Sequence, residues 1–196
     1  MIGLHPCSVK KDYKQSLEKL ENMLNSEDFI AIGEIGIDLY WDKTFIKEQK
    51  EAFRLQIQWA KSQKIPIVIH CRNAFDEIYK ILKEEADNSL NGVLHCFGGS
   101  LEQAKKIIDL NFLLGIGGIL TFKNSGLDMV IKKIPLNKII LETDAPYLAP
   151  APYRGKQNKP EFLFIIAKKL AELKNVSMNE LTTQLYTNTK SLFFND

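Results

Sequence analysis

The chain is poor in the residues that mark specialised environments. Its 196 residues include only three cysteines, three histidines and two tryptophans. Three thiols, Cys7, Cys71 and Cys96, cannot all pair within one chain, which argues against a disulfide framework and for a reduced, cytoplasmic setting. No apolar run approaches the ~20 residues of a membrane span, and the N-terminus has no signal-peptide core, so no membrane partner is expected. Charge of one sign is also missing. A net charge of +2 creates no field that by itself points to a polyanion. Repeats and low-complexity tracts are absent.

What remains is ordinary globular material, 45% hydrophobic and 26% charged, long enough to bury one core. Residues 1–196 are taken as a single domain. Four short apolar runs carry the pattern. Phe29–Glu34 ends on a carboxylate, Ile65–His70 and Gly92–His95 end on imidazoles, and Lys138–Thr143 leads through Glu142 to Asp144 before breaking at Pro146. Branched runs closed by turn signals read as buried strands. Phe112–Leu120 reads as a further strand, with glycines at its exit marking close backbone approach. Three- and four-residue apolar spacing predicts helices over Asp12–Asn25, Phe45–Gln63, from Phe75 to before Asn88, up to Asp109, over Glu161–Leu173 and up to Phe194. Ser100/Gln103 and Ser177/Glu180 have the form of capping boxes. Ser125 is expected to cap a short helix with Leu127, Val130 and Ile131 inward, and Ile35–Thr44 is expected as a loop exposing Tyr40 and Trp41. Strand–helix alternation throughout predicts an α/β fold with a parallel sheet.

In such folds the active site lies at the C-terminal ends of the strands. Glu34, His70, His95 and Asp144 all fall there. Singly, each has a bland reading: a solvated strand end, a hydrogen-bonded core histidine, a turn former. Together they form a set of carboxylates and imidazoles suited to Zn, Mn or similar divalent ions. Glu34 could bridge two ions, and Asp144 could accept a proton from an attacking water. Cys71 and Cys96 follow the site histidines and are read as packing residues on the opposite face. Arg72 is read either as a bidentate anion clamp or as a surface ion pair. Tyr153, Arg154, Lys156 and Lys159 form either a phosphate-contacting edge or a solvated loop.

These stretches resemble the TatD family of metal-dependent deoxyribonucleases, within the amidohydrolase superfamily. The motifs are Gly3–Pro6, Ala31–Asp38, Val68–Arg72, Gly92–Gly99, Gly117–Lys123 and Leu141–Leu148, in the family's order, with Pro152–Asn158 similar to the segment after its last barrel strand. The resemblance implies a TIM-type (β/α)8 barrel with two divalent cations (Mg, Mn or Zn). Glu34 would bridge them, His70 and His95 would bind one, and Asp144 would bind the other and act in catalysis with Glu34. It implies phosphodiester hydrolysis of DNA by a metal-activated water, 3'-5' and exonucleolytic, on single strands or 3' ends. His5, Arg72, Tyr153 and Arg154 would contact the substrate. D-aminoacyl-tRNA deacylation is the alternative ester chemistry. The family's His-x-His pair has no counterpart here, so an N-terminally truncated, incomplete barrel is expected. Such a barrel would have one well-furnished ion position and open edges that invite self-association. The competing reading is an impaired or inactive remnant serving as a binding or structural module.

Overall fold

The computed structural model describes residues 1–194. Strands and helices alternate along the chain, and the strands pair in parallel with their neighbours. This is the grammar of a TIM-type barrel, with five strands where a complete one has eight. The residues group into two compact units.

The first unit comprises Met1–His95 with Leu110–Phe112 and Leu192–Phe194. It holds β1 (Ile32–Asp38), β2 (Ile67–Arg72), β3 (Gly92–Leu94), α1 (Tyr13–Ser26), α2 (Ile46–Gln63) and α3 (Phe75–Glu85). β1 pairs with β2, and β2 with β3. Ile32, Ile35, Ile37, Ile67 and Ile69 are completely buried, as expected of parallel strands covered on both faces. α2 packs on β1 and buries Ala52, Phe53, Ile57 and Ala60, and α1 turns Tyr13, Leu17 and Leu24 inward. Before β1, Ile2 forms a parallel bridge to Ile32.

Two polar residues sit on the buried face of α2. Gln49 and Gln56, seven residues apart and so on one face, are 3% and 1% exposed. Each uses both ends of its amide on one residue's main chain, as a neighbouring strand would. Gln49 accepts from the Asp38 N–H at 2.9 Å and donates to the Asp38 carbonyl at 3.3 Å. Gln56 accepts from the Leu4 N–H at 2.6 Å and donates to the Leu4 carbonyl at 3.4 Å and the Ala52 carbonyl at 3.1 Å.

β1 departs from expectation. Glu34 lies inside the strand rather than at its end, and the strand runs on to Asp38 through residues expected as loop. The register with β2 is irregular between Ile32 and Ile35, a distortion that re-aims the local side chain. Gly36 makes the crossing to β2 feasible. Its φ is +141°, and a Cβ there would stand 2.1 Å from the His70 carbonyl oxygen.

The second unit comprises Cys96–Asp109 and Leu113–Ser191 among the described residues. It holds α4 (Leu101–Asp109), most of β4 (Phe112–Ile116), α5 (Leu127–Ile131), β5 (Ile139–Leu141), α6 (Leu163–Lys174) and the bulk of α7 (Met178–Phe193). β4 and β5 pair in parallel. Both capping boxes form. Ser100 N–H donates to Gln103 Oε1 and Gln103 N–H to Ser100 Oγ, and Ser177 and Glu180 repeat the exchange. The expected strand Phe112–Leu120 stops at Ile116 and turns into a 3-10 helix, Gly118–Thr121. The reason is close approach, since a Cβ on Gly118 would fall 2.0 Å from the Leu148 carbonyl oxygen. The residue capping α5 is Gly126, not Ser125, although Ser125 Oγ accepts the Leu127 N–H at 3.3 Å. β5 is also shorter than expected, so Asp144 lies three residues past its end with φ +57°. Buried Asn188 of α7 donates to the carbonyls of Leu136 and Ile139 at 2.8 and 2.7 Å and so fixes the entry to β5.

Candidate metal centre

In the first unit all three histidines of the chain converge on one carboxylate oxygen. Glu34 Oε2 lies 3.8 Å from His5 Nε2, 3.8 Å from His70 Nδ1 and 3.9 Å from His95 Nε2. These separations are too long for hydrogen bonds. They suit donor atoms grouped about a common centre, and His5, Glu34 and His70 form one metal-capable group. β1 delivers Glu34, β2 delivers His70, and His95 follows β3 directly, its N–H bonded to the Ile69 carbonyl at 3.0 Å. His5 arrives from the N-terminal segment that Gln56 anchors at Leu4. Its ring meets His70 edge-on at 4.4 Å.

The electrostatics favour the ligand form of the imidazoles. Burial, followed by the neighbouring His70, lowers the His5 pKa. Burial lowers that of His70 despite the opposing pull of Asp38. Neutral imidazole is the state that binds metal. Asp38, 2% exposed, faces the far side of His70, with Oδ2 2.9 Å from Nε2. Burial pushes the Asp38 pKa up. The bonds from His70 and from the Tyr40 and Trp41 N–H groups outweigh this and hold it below the usual carboxylate range. With Nε2–H directed to Asp38, the Nδ1 lone pair is directed to Glu34, the carboxylate–histidine arrangement of metal sites.

Asp38 was not singled out from sequence, although the signal was present. Glu34 and Asp38 are four apart in an alternating strand and therefore share a face. Arg72 pairs in register with Asp38, and its guanidinium stacks 3.7 Å from the Tyr40 ring centroid. It makes no surface ion pair among the contacts of the described residues.

In the second unit, Glu142 lies just past β5 with its N–H bonded to the Ile116 carbonyl at 3.2 Å. Its carboxylate accepts the Cys96 N–H and rests over Gly115, where a Cβ would come 2.7 Å from Glu142 Oε2. Cys96 Sγ is within 4.8 Å of a Glu142 oxygen, and Cys96 is half-buried where a fully buried packing residue is expected. Asp144 heads the following turn, its carbonyl accepting the Tyr147 N–H at 2.7 Å. Buried Asn158 ties that turn down through the carbonyls of Thr143 and Tyr147. Tyr153 stacks on Phe162 at 4.4 Å and Arg154 on Phe122 at 3.8 Å, so both are ordered by neighbours rather than loose in solvent. The structure thus gathers His5, Glu34, His70 and His95 in one unit. It places Asp144, Tyr153 and Arg154 on the loop after β5 in the other.

Imidazole nitrogen with carboxylate oxygen is the donor chemistry of a Zn- or Mn-type divalent site. Fold and donors together define a metal-dependent hydrolase of the incomplete (β/α)-barrel kind. The comparisons give the family. The TatD related DNase model matches residues 1–194. YabD of Bacillus subtilis, described as an uncharacterized metal-dependent hydrolase, is 40% identical over 98% of this chain and 76% of its own length. YcfH of Escherichia coli K12, described likewise, is 36% identical over 99% and 73%. The crystal structure of YjjV, a TatD homolog from E. coli K12, superposes with a TM-score of 0.92 at 34% identity, covering 98% of this chain and 75% of that one. The chain belongs to the TatD family, and spans about three quarters of the length of these relatives. No helix among the described residues is long and apolar enough to cross a membrane.

Proposed function

We propose that the chain is a phosphodiesterase acting on DNA, removing nucleotides from single strands or 3' ends as a single hydrolase domain. The observation that carries this reading is the convergence of three imidazole nitrogens on Glu34 Oε2. Glu34, His70 and His95 would hold a divalent ion, with His5 completing the surround. A bound ion supplies Lewis acidity and an activated water.

The remaining chemistry belongs to the chain. Asp38 keeps His70 in the tautomer whose Nδ1 is free to ligate. The Arg72 guanidinium offers paired N–H donors to a phosphate. The Asp144 carboxylate is assigned the proton of the attacking water, and its support is the Leu141–Leu148 motif. Tyr153 and Arg154 extend substrate contact. The same machinery suits an aminoacyl ester, so D-aminoacyl-tRNA serves as the comparison substrate.

The test is nucleotide release from single-stranded DNA in Mg or Mn. Release by the wild type that disappears in Glu34→Ala is the expected result. Equal release by both proteins would remove the reading, and release from aminoacyl-tRNA alone would redirect it to the ester.

A further inference from the structure

Two exposed aromatic residues flank the metal centre without serving it. Tyr40 and Trp41 follow β1 and are 51% and 71% exposed. Exposed apolar side chains gathered side by side, unlike single ones, mark binding surfaces. They are also held in place. Asp38 Oδ1 accepts the Tyr40 N–H at 2.9 Å and the Trp41 N–H at 3.4 Å, while its other oxygen holds His70. One buried carboxylate thus fixes both the aromatic turn and a candidate metal ligand. The two rings meet edge-to-face at 4.8 Å. Arg72, two residues beyond His70, lies over Tyr40 at 3.7 Å and reaches Trp41 at 5.2 Å. Beside Trp41 opens a shallow cleft lined by Phe45 and, from the N-terminal segment, by Pro6 and Lys10, with the acids Asp38 and Asp42 also along it. The Lys10 ammonium stands 5.7 Å from the Phe45 ring centroid.

We infer that this cleft holds an unpaired nucleobase of the substrate strand, stacked on Trp41. The inference rests on the phosphodiesterase reading above and adds to it a requirement for a base, not only for a phosphate. The surroundings match that occupant. The apolar part of the lining, Trp41 with Phe45 and Pro6, accepts a π-face of any base, and stacking of this kind tolerates sequence. Lys10 in the cleft and Arg72 over the Tyr40 ring suit the phosphates on either side of a splayed base. A paired base buries its faces in the duplex, so the cleft selects single strands and frayed ends.

The chain's own tryptophans provide the assay. Trp59 is 5% exposed and its indole N–H is bonded to Glu21 at 2.9 Å, which leaves Trp41 as the emitter that a ligand in solution can reach. In EDTA, so that no cleavage intervenes, the protein is titrated with hexathymidylate and with an abasic hexamer of the same phosphate count. Hexathymidylate is expected to quench Trp41 emission to saturation, and the abasic chain to bind on the order of tenfold more weakly. In anisotropy titrations with 5'-labelled oligomers, Trp41→Ala is expected to lose about tenfold for hexathymidylate and nothing for the abasic chain. Trp41→Phe should restore most of the loss. Because Trp41 touches no phosphate, the salt dependence of binding stays unchanged in Trp41→Ala, whereas Arg72→Gln lowers the slope by about one.

Equal affinity for the two oligomers, or a Trp41→Ala variant that binds like wild type, overturns the inference. The metal-loaded chain separates it from the reading beneath. Cleavage of both oligomers at the same kcat/KM discards base stacking and keeps the phosphodiesterase. Base-dependent binding with cleavage of neither does the reverse.

Discussion

Replacing Gln56 by leucine should loosen the segment that brings His5 to Glu34. Gln56 is 1% exposed, and its Oε1 accepts the Leu4 N–H at 2.6 Å. Leucine fills a similar volume but leaves that N–H buried without an acceptor, a loss of roughly 1–3 kcal/mol. The Leu4 carbonyl loses only a 3.4 Å contact, so the N–H dominates, and ~2 kcal/mol is expected for Gln56→Leu. Gln56→Ala removes packing as well, and two buried methylene-sized groups at ~0.8 kcal/mol each raise the loss to ~3–4 kcal/mol. With a urea slope of ~1–3 kcal/mol/M, the leucine variant should unfold about 1 M earlier. The effect should also be local. Amide exchange at Leu4 should accelerate roughly thirtyfold, the equivalent of ~2 kcal/mol, while amides near Asn188 are unaffected by that opening. Since Leu4 adjoins His5, the His5 ring resonances should broaden or shift without any metal present. If Gln56→Leu unfolds within ~0.5 kcal/mol of wild type and Leu4 exchange is unchanged, the amide clamp is not what holds this segment, and the contribution assigned to a buried strand-mimicking side chain is wrong.

Three further changes test the remaining links. Asp38→Asn keeps the size of the side chain but removes the charge that orients His70, so affinity for Zn or Mn measured by calorimetry should fall about 10–100-fold; an unchanged affinity would show that His70 is oriented by something else. Gly36→Ala places a methyl 2.1 Å from the His70 carbonyl oxygen at φ +141°, and should lower stability by several kcal/mol, on the order of 3–5, read as a fall in thermal midpoint; a fall no larger than for a surface substitution refutes the close approach. Tyr13 donates to Glu51 at 2.5 Å, and this bond, with burial, raises its pKa from the ordinary 10 to about 12. The folded state therefore holds its proton longer than the unfolded chain, so the contribution is complete below pH 10 and is lost as pH rises toward 12. The bond is only part-buried, which reduces the contribution to ~1 kcal/mol, and the difference in urea midpoint between wild type and Tyr13→Phe should shrink across that window.

Much of the architecture could be read before any coordinates because local signals agreed with the global fold. The apolar runs at Ile67–Ile69 and Ile139–Ile140 became buried strands, and both capping boxes closed with the expected pairs of bonds. What escaped were the element ends. Phe112–Leu120 looked continuous because its residues are apolar, yet the strand stops at Ile116, where the backbone of Leu148 leaves no space for a Cβ on Gly118. That constraint comes from a residue thirty positions away, and no window of sequence contains it. The end of β1 was misjudged for a similar reason. Ile35–Thr44 reads as a loop in isolation, whereas in place β1 runs on to Asp38, and Gly36 allows its backbone to lie against the His70 carbonyl.

The same distinction separates the residues of the site that were visible from those that were not. Glu34, His70 and His95 can be found because metal-capable side chains carried by parallel strands gather toward one end of them, even though Glu34 lies inside β1. Asp38, Gln49 and Gln56 do their work sideways, from a neighbouring strand or from a helix lying across it, and their roles exist only once register is set. Asp38 meets His70 because β1 slips against β2 between Ile32 and Ile35. Gln49 then takes both main-chain groups of Asp38, and Gln56, two turns on, takes those of Leu4. One helix face therefore sets the depth of two segments, one leading to His5 and the other carrying the carboxylate that orients His70. A buried glutamine in an otherwise apolar helix face is costly without partners. Two of them seven residues apart are therefore explained by what lies beneath: each satisfies a buried main-chain N–H and carbonyl, of Asp38 and of Leu4, beside a residue of the candidate site.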